Sequence, residues 1–445
     1  MLIELVHKDT KFIVEASHVA ISALLQAGFK TAPDYYRKTF STKRTGYINP
    51  FDLYIFRKRV ADNPTLITEV EHILSMWESF YNLYLKKIEE LLKKGQNNQS
   101  VNYKLEINHV MEGFLSIATI NTRTFHIDLE DPSVENKLRL LLFHPQYEVR
   151  EIVEAIWKSI YNSSQPFKLY DALLGLKSKY LEDTKVSTNY RYVSEALSGI
   201  GYKKTTEDIL NVPEANRFEM SKEKAGYTKY SLKNFDMIKM YSVLKKNDLL
   251  WILEERPQGV QLPEWLTEFG TISINCVLDF ASVLELQEKG IGHIQTPLIN
   301  FRDITIHPWY YMKVQNWFKD NTESIAKDFE EALILQIERI VDLNEHTPIQ
   351  NSVSWMAYSQ YLMPLSAMCL CSVTCSLPEL TTLAEDLSAD IDNPILRSLG
   401  INTCEFLSQN FNSFTTYPII KSDELHGDSL ETSISKKGNE ENESA

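Results

Sequence analysis

Residues 63–95, NPTLITEVEHILSMWESFYNLYLKKIEELLKKG, form the segment from which we predict the fold class. It begins with Asn63, a good helix cap, followed by Pro64, which is favoured at the first helical position. It ends with two lysines and Gly95, which suit the negative end and the termination of a helix. Between these ends, apolar residues recur at three- and four-residue steps: Leu66, Val70, Ile73, Trp77, Phe80, Tyr84, Ile88 and Leu91. This spacing predicts one long amphipathic helix.

Other segments repeat this helical pattern. One apolar stripe consists of Val149, Ile152, Val153, Ile156, Trp157 and Ile160, and another of Ile325, Phe329, Leu333, Ile337, Ile340 and Val341. Strand patterns are short and confined to residues 103–107, 114–127, 202–206 and 227–232. We therefore expect a mainly α, multi-domain helical protein with a small α+β module in its middle.

The amino-acid composition limits the classes of function that this protein can have. The chain has 445 residues, 43% of them hydrophobic, which is enough to build a packed core. Its net charge of −14 repels nucleic acid, so RNA or DNA contact would require local basic patches. Five cysteines and an N-terminus without a long apolar region favour a cytoplasmic protein. The sequence has no GxxxxGK[ST], GxGxxG or HExxH motif, and we expect no cofactor.

Polar loops and charge runs suggest five segments. The last of them is polar and acidic and is expected to be disordered. The segments are an N-terminal helical domain (1–99), a connector of helix and short strands (100–164), the α+β module (165–240), a C-terminal helical domain (241–421) and the acidic tail (422–445).

The middle module has a suggestive order of elements. A helical stretch at 167–181 is followed by a polar turn, a second helix around Val193, and the segment Gly226 to Leu232. This order resembles the winged-helix pattern of recognition helix and wing. The resemblance implies a helix in the major groove and phosphate contacts from basic residues: Lys185, Arg191, Lys203, Lys204, Lys222, Lys224 and Lys229. Winged helices also serve as protein-interaction modules, and this alternative stays open.

A second motif lies at Asn300 to Pro308, where Arg302 and His307 are separated by four residues and Asp303 follows the arginine. This spacing resembles the Arg-x4–6-His signature of HEPN-superfamily ribonucleases. Arg139 and His144 match the same spacing.

The HEPN resemblance implies an all-helical bundle, a homodimer and metal-independent RNA cleavage, with residues 272–286 and 321–343 as flanking helices. His307 would transfer protons, Arg302 would stabilise the charge on the phosphorane, and Asp303 would orient them.

An uncharged stretch, residues 346–378, includes a segment at 355–377 that is long enough to span a bilayer. Its many hydroxyl groups favour a buried helix pair broken at Pro364 over a membrane span. Cys369, Cys371 and Cys375 suggest either a metal cluster or buried thiols. Without a fourth ligand nearby, buried thiols are favoured and no metal is expected.

Two functional hypotheses follow. The first is a HEPN-like endoribonuclease, of the kind used as a toxin or antiviral-defence effector, with Arg302, Asp303 and His307 as catalytic residues. The second is a non-enzymatic DNA-binding or protein-interaction subunit of a larger complex. Neither hypothesis involves a membrane.

Overall fold

The computed structural model describes part of the chain, which divides into two compact units. Unit 1 comprises residues 1–222, 279–290 and 295–369, and unit 2 comprises residues 223–278, 291–294 and 370–445. The described residues are 4–6, 11–31, 120–127, 147–162, 220–257, 260–296, 305–310, 363–389 and 393–411, with single positions at 68, 71, 75, 113, 117, 134, 137, 138, 141, 144, 312, 335 and 338.

Unit 1 contains a four-stranded antiparallel sheet in the order β1-β2-β4-β3. The strands are β1 (Glu4–Val6), β2 (Lys11–Ser17), β3 (Lys30–Thr31) and β4 (Ile120–His126). Along β2, Phe12, Val14 and Ala16 are buried while the residues between them are partly exposed. This two-residue alternation is typical of a β-strand that packs one face on the core. Phe12 pairs with Phe125 of β4, and the two rings stack 5.3 Å apart.

In the described part of unit 1, two helices with defined ends contribute to the core on this sheet, together with the helical residues Val134, Leu138 and Leu141. Helix α1 (His18–Gln26) begins at Ser17, whose hydroxyl accepts the backbone N–H of Ala20 at 3.2 Å. Helix α2 (Tyr147–Asn162) joins the same core through the apolar stripe predicted from its sequence, and that prediction is confirmed. The buried members of the stripe are Val149, Ile152, Val153, Ile156 and Trp157.

Unit 2 is built on a second antiparallel sheet, in the order β5-β6-β8-β7. The strands are β5 (Thr228–Phe235), β6 (Gly270–Asp279), β7 (His293–Gln295) and β8 (Met368–Cys375). The described part of this unit also contains four α-helices: α3 (Met237–Lys246), α4 (Trp251–Glu254), α6 (Leu377–Ser388) and α7 (Pro394–Asn410). Tyr230 of β5 stacks on Phe406 of α7 with a centroid separation of 4.0 Å, so one face of this sheet packs on α7.

The two sheets have the same strand order. In each, the second strand leads through a capping residue, Ser17 or Asp279, into a nine-residue helix, which is α1 or α5 (Phe280–Glu288). A glycine with positive φ follows each helix, Gly28 at 86° and Gly290 at 65°, and precedes the short third strand of each sheet. The order of these elements along the chain is therefore the same in both cases.

The equivalent helices α1 and α5 pack against each other within unit 1. The hydroxyl of Ser22 donates to Oε1 of Gln287 at 2.9 Å across this interface.

The prediction of a mainly α fold is wrong. Of the described residues, 54% are helical and 25% lie in strands, so the protein is a mixed α+β protein. Residues 1–99, expected to form a helical domain, contain three of the strands. Residues 272–286, expected to form one helix, are strand as far as Asp279 and helix only from Phe280. The continuous apolar run of β6 is compatible with a buried strand as well as with a buried helix, and strand pairing decides between them.

The prediction of a helix pair around Pro364 is also wrong. Residues 368–375 form the buried strand β8 instead. No helix among the described residues is long and apolar enough to cross a bilayer. Within the long helix expected at 63–95, the structure describes Thr68, Glu71 and Ser75, and all three are helical. Residues 202–206, most of 321–343 and the tail 422–445 lie outside the described residues.

Candidate functional site

His307 is held in unit 1 by its backbone and by its ring. Ile306 forms a β-bridge with Ala367, and the N–H of His307 donates to the carbonyl of Ser366 at 3.0 Å. Nδ1 of the imidazole accepts the backbone N–H of Trp309 at 3.3 Å, and the residue is only 8% exposed. His307 therefore caps the short helical turn that follows it, in the manner of an N-cap side chain.

Arg302 and Asp303, the other two predicted catalytic residues, lie outside the described residues. The ribonuclease hypothesis consequently stays a prediction. The helix that the resemblance implied at 272–286 is present only from Phe280, because residues 272–279 belong to β6.

The surroundings of His307 are enclosed. Tyr310 donates its hydroxyl to Oδ2 of Asp279 at 2.6 Å, and Asp279 also caps α5 through the N–H of Ser282 at 3.4 Å. The ring of Tyr310 lies against Gly113, where an added Cβ would come within 2.1 Å of Cε1. Oδ1 of Asp279 has no hydrogen-bond partner among the described residues. Asp279 and Tyr310 are both fully buried, so this cluster holds the start of α5 rather than offering groups to a substrate.

The cysteines of β8 are buried thiols, as expected. Cys369, Cys371 and Cys375 form no disulfide, and the described residues contain no group of ligands suited to a metal ion. Burial, with a smaller contribution from Glu379, raises the pKa of the Cys375 thiol to about 12. The thiol is therefore protonated at neutral pH.

A different part of the molecule, in unit 2, carries a concentrated positive charge. Residues 224–246 contain six lysines and one acidic residue, within a chain whose net charge is −14. Every one of these lysines is exposed. We call them the lysine surface: Lys224, Lys229, Lys233, Lys239, Lys245 and Lys246.

Strand β5 and helix α3 position the lysine surface. Tyr230 points to α7, so its neighbours Lys229 and Ser231 lie on the opposite face of the sheet. Ser231 pairs with Ser273 of β6, and the hydroxyl of Ser273 is 3.5 Å from that of Thr374 on β8. This face of the sheet is therefore polar.

Helix α3 presents its lysines on one side. Met240 and Leu244 are its buried residues, while Ile238, Lys239, Ser242, Lys245 and Lys246 form the exposed stripe. The helix itself contains no acidic residue, and Asp236 before it serves as the N-cap through the N–H of Lys239 at 2.9 Å. The one carboxylate of the segment is thus engaged at the opposite end of the helix from Lys245 and Lys246.

The structure describes only part of the predicted basic patch. Lys185, Arg191, Lys203 and Lys204 lie outside the described residues, whereas Lys222, Lys224 and Lys229 are exposed. Lys233, Lys239, Lys245 and Lys246 were missed because a domain boundary was expected at their position. The absence of acidic residues from MIKMYSVLKK (237–246) was the signal that could have identified them.

No protein-family model, no curated protein and no solved structure matches this chain. Its function is therefore inferred from the residues and their geometry.

Proposed function

We propose that this protein is a non-enzymatic subunit of a larger complex that binds the sugar–phosphate backbone of a nucleic acid through its lysine surface. The observation that carries this proposal is the charge of residues 224–246, six lysines to one acidic residue, in an otherwise acidic chain. Lysines that neutralise phosphates release condensed counterions, which is the dominant source of sequence-independent affinity.

The polar face beside Lys229 suits the same ligand. Hydroxyl groups such as those of Ser231 and Ser273 donate hydrogen bonds to phosphate oxygens. Lys245 and Lys246 also stabilise the negative end of α3, which accounts for two of the six lysines without any ligand. That role does not extend to Lys229, Lys233 and Lys239, because they lie on β5 or in the first turn of α3.

Fluorescence anisotropy of labelled duplex DNA and labelled single-stranded RNA over a salt series tests the proposal on the full chain. We expect binding that weakens steeply with salt. The triple variant Lys229→Ala/Lys239→Ala/Lys246→Ala should reduce the slope of log K against log salt. The reduction should be about 0.9 for each phosphate that is no longer neutralised on duplex DNA, and about 0.7 on a single strand.

Two matched variants serve as controls. The triple Lys→Arg variant should keep the wild-type affinity, because a guanidinium also neutralises phosphate. Lys30→Ala removes an exposed lysine of β3 and should leave both affinity and slope unchanged. Equal slopes for wild type and the triple alanine variant, or no binding of either nucleic acid, would refute the proposal. The comparison of the two probes tells DNA from RNA.

A further inference from the structure

A second stretch of unit 2, residues 248–268, combines exposed large apolar side chains with negative charge. Trp251, Val260 and Trp265 are 55%, 49% and 36% exposed. Five acidic residues of the same segment are exposed as well: Asp248, Glu254, Glu255, Glu264 and Glu268. We call these eight residues the acidic apolar surface.

The segment that carries this surface already has its own buried anchors. Leu253, Leu262, Leu266 and Phe269 are buried. Trp251 and Trp265 therefore remain outside after the local core has been filled. Tryptophan is enriched among the residues that dominate binding energy at protein interfaces, so this stretch is a candidate interaction site.

Hydrogen bonds hold the pieces of the segment in place. The N–H of Leu249 donates to the carbonyl of Leu244 at 2.8 Å, which fixes the turn between α3 and α4. Nη1 of Arg256 donates to the carbonyl of Val260 at 2.6 Å, and the N–H of Asp236 donates to the carbonyl of Phe269 at 2.8 Å. These three hydrogen bonds constrain the described backbone that carries the exposed side chains.

The basic side chain of this segment is buried. Arg256 is the one basic residue between positions 247 and 269. It is buried and forms an ion pair with Glu385 of α6. The exposed charge of the segment is therefore purely negative.

We propose that the acidic apolar surface binds a basic amphipathic segment of a partner protein. Apolar side chains of that segment would cover Trp251, Val260 and Trp265, while its lysines or arginines pair with the surrounding carboxylates. The same charges disfavour the other occupants. Nucleic acid and anionic lipid are repelled, and a second copy of this chain would bring two sets of five carboxylates together. This proposal stands independently of nucleic-acid binding by the lysine surface.

The test uses the full chain and a labelled synthetic amphipathic helix with leucines on one face and lysines on the other. A matched peptide replaces every lysine by glutamate. We expect the lysine peptide to bind in a salt-dependent manner and the glutamate peptide not to bind. Trp251→Ser/Trp265→Ser should weaken binding by about 10- to 30-fold, the usual effect of removing aromatic hot spots. Glu254→Gln/Glu255→Gln should weaken it by a smaller factor and flatten its salt dependence.

Leu335→Ser is the matched control, because Leu335 is 54% exposed elsewhere in the chain and should not affect peptide binding. Thermal unfolding of each variant checks that the exposed substitutions leave the fold intact. Equal binding of both peptides, or an unchanged affinity of the tryptophan variant, would overturn the proposal. So would Trp251-dependent binding to phosphatidylserine vesicles, or a Trp251-dependent dimer in sedimentation, since each would assign the surface to another occupant.

Discussion

Arg123 and Glu288 form a buried ion pair, in which Nε of the arginine lies 2.6 Å from Oε1 of the glutamate. The pair joins β4 to the last residue of α5 within unit 1. Burial raises the pKa of Glu288, and the neighbouring Arg123 charge partly opposes this shift. The desolvation of both groups thus offsets much of their attraction, as is usual for buried pairs.

Removal of one partner should therefore cost far more than replacement of both. Glu288→Ala leaves the guanidinium buried without its carboxylate, and we expect a loss of about 3–5 kcal/mol in the free energy of unfolding. Arg123→Met/Glu288→Met should recover most of that loss. Urea denaturation of the three proteins measures both values, and a double variant as unstable as Glu288→Ala would contradict this expectation.

We expect His144 to make the stability of the protein depend on pH. Burial, and secondarily the positive charge of Arg150, lower the pKa of the imidazole to about 3. Between about pH 6.5 and pH 3 the unfolded chain takes up a proton at His144 that the folded chain does not. Stability should consequently fall as the pH is lowered through this window.

The variant His144→Gln isolates this contribution. Its stability should depend on pH less steeply than that of the wild type, by up to about 1.4 kcal/mol per pH unit between pH 6 and pH 4. Denaturant titrations at several pH values provide the comparison. Parallel curves for the two proteins would show that His144 is protonated in the folded state.

His307 should behave as a capping residue. His307→Ala removes the acceptor for the N–H of Trp309 and should cost about 1 kcal/mol, whereas His307→Asn can accept the same bond and should retain most of the stability.

Labelled single-stranded RNA incubated with the wild type in EDTA should remain intact. Metal-independent cleavage that both variants abolish would instead support the ribonuclease hypothesis.

Gly400 permits the close crossing of α6 and α7. A Cβ at this position would lie 2.3 Å from the backbone nitrogen of Ser388, and backbone atoms cannot move aside as a flexible side chain can. Gly400→Ala should destabilise the protein by about 1–3 kcal/mol, although alanine favours a helix. The control Asn402→Ala in the same helix should be neutral or stabilising by up to about 0.7 kcal/mol. Thermal unfolding distinguishes these outcomes, and a stabilising Gly400→Ala would show that the helices can separate at little cost.

Local patterns with a clear period could be interpreted correctly from sequence. The stripe from Val149 to Trp157 specifies an amphipathic helix by its spacing alone, and residues 120–126 were rightly placed within a strand region. The lysines and acidic residues that define the two surfaces of unit 2 are equally visible in the sequence. Their exposure is not, because exposure depends on which neighbouring residues pack behind them.

The charges, the apolar stripe of α2 and the sparse use of cysteine can be recognised without a structure, since they depend on residue type and near neighbours. Three other features required the three-dimensional structure: the apolar runs of β6 and β8 are strands, one strand order occurs twice, and the ring of His307 caps a turn. Strand pairing and burial are set by residues distant in the chain, such as Ser231 and Ser273 or Gly113 and Tyr310. A local sequence pattern does not show which distant residues will pair or pack with it.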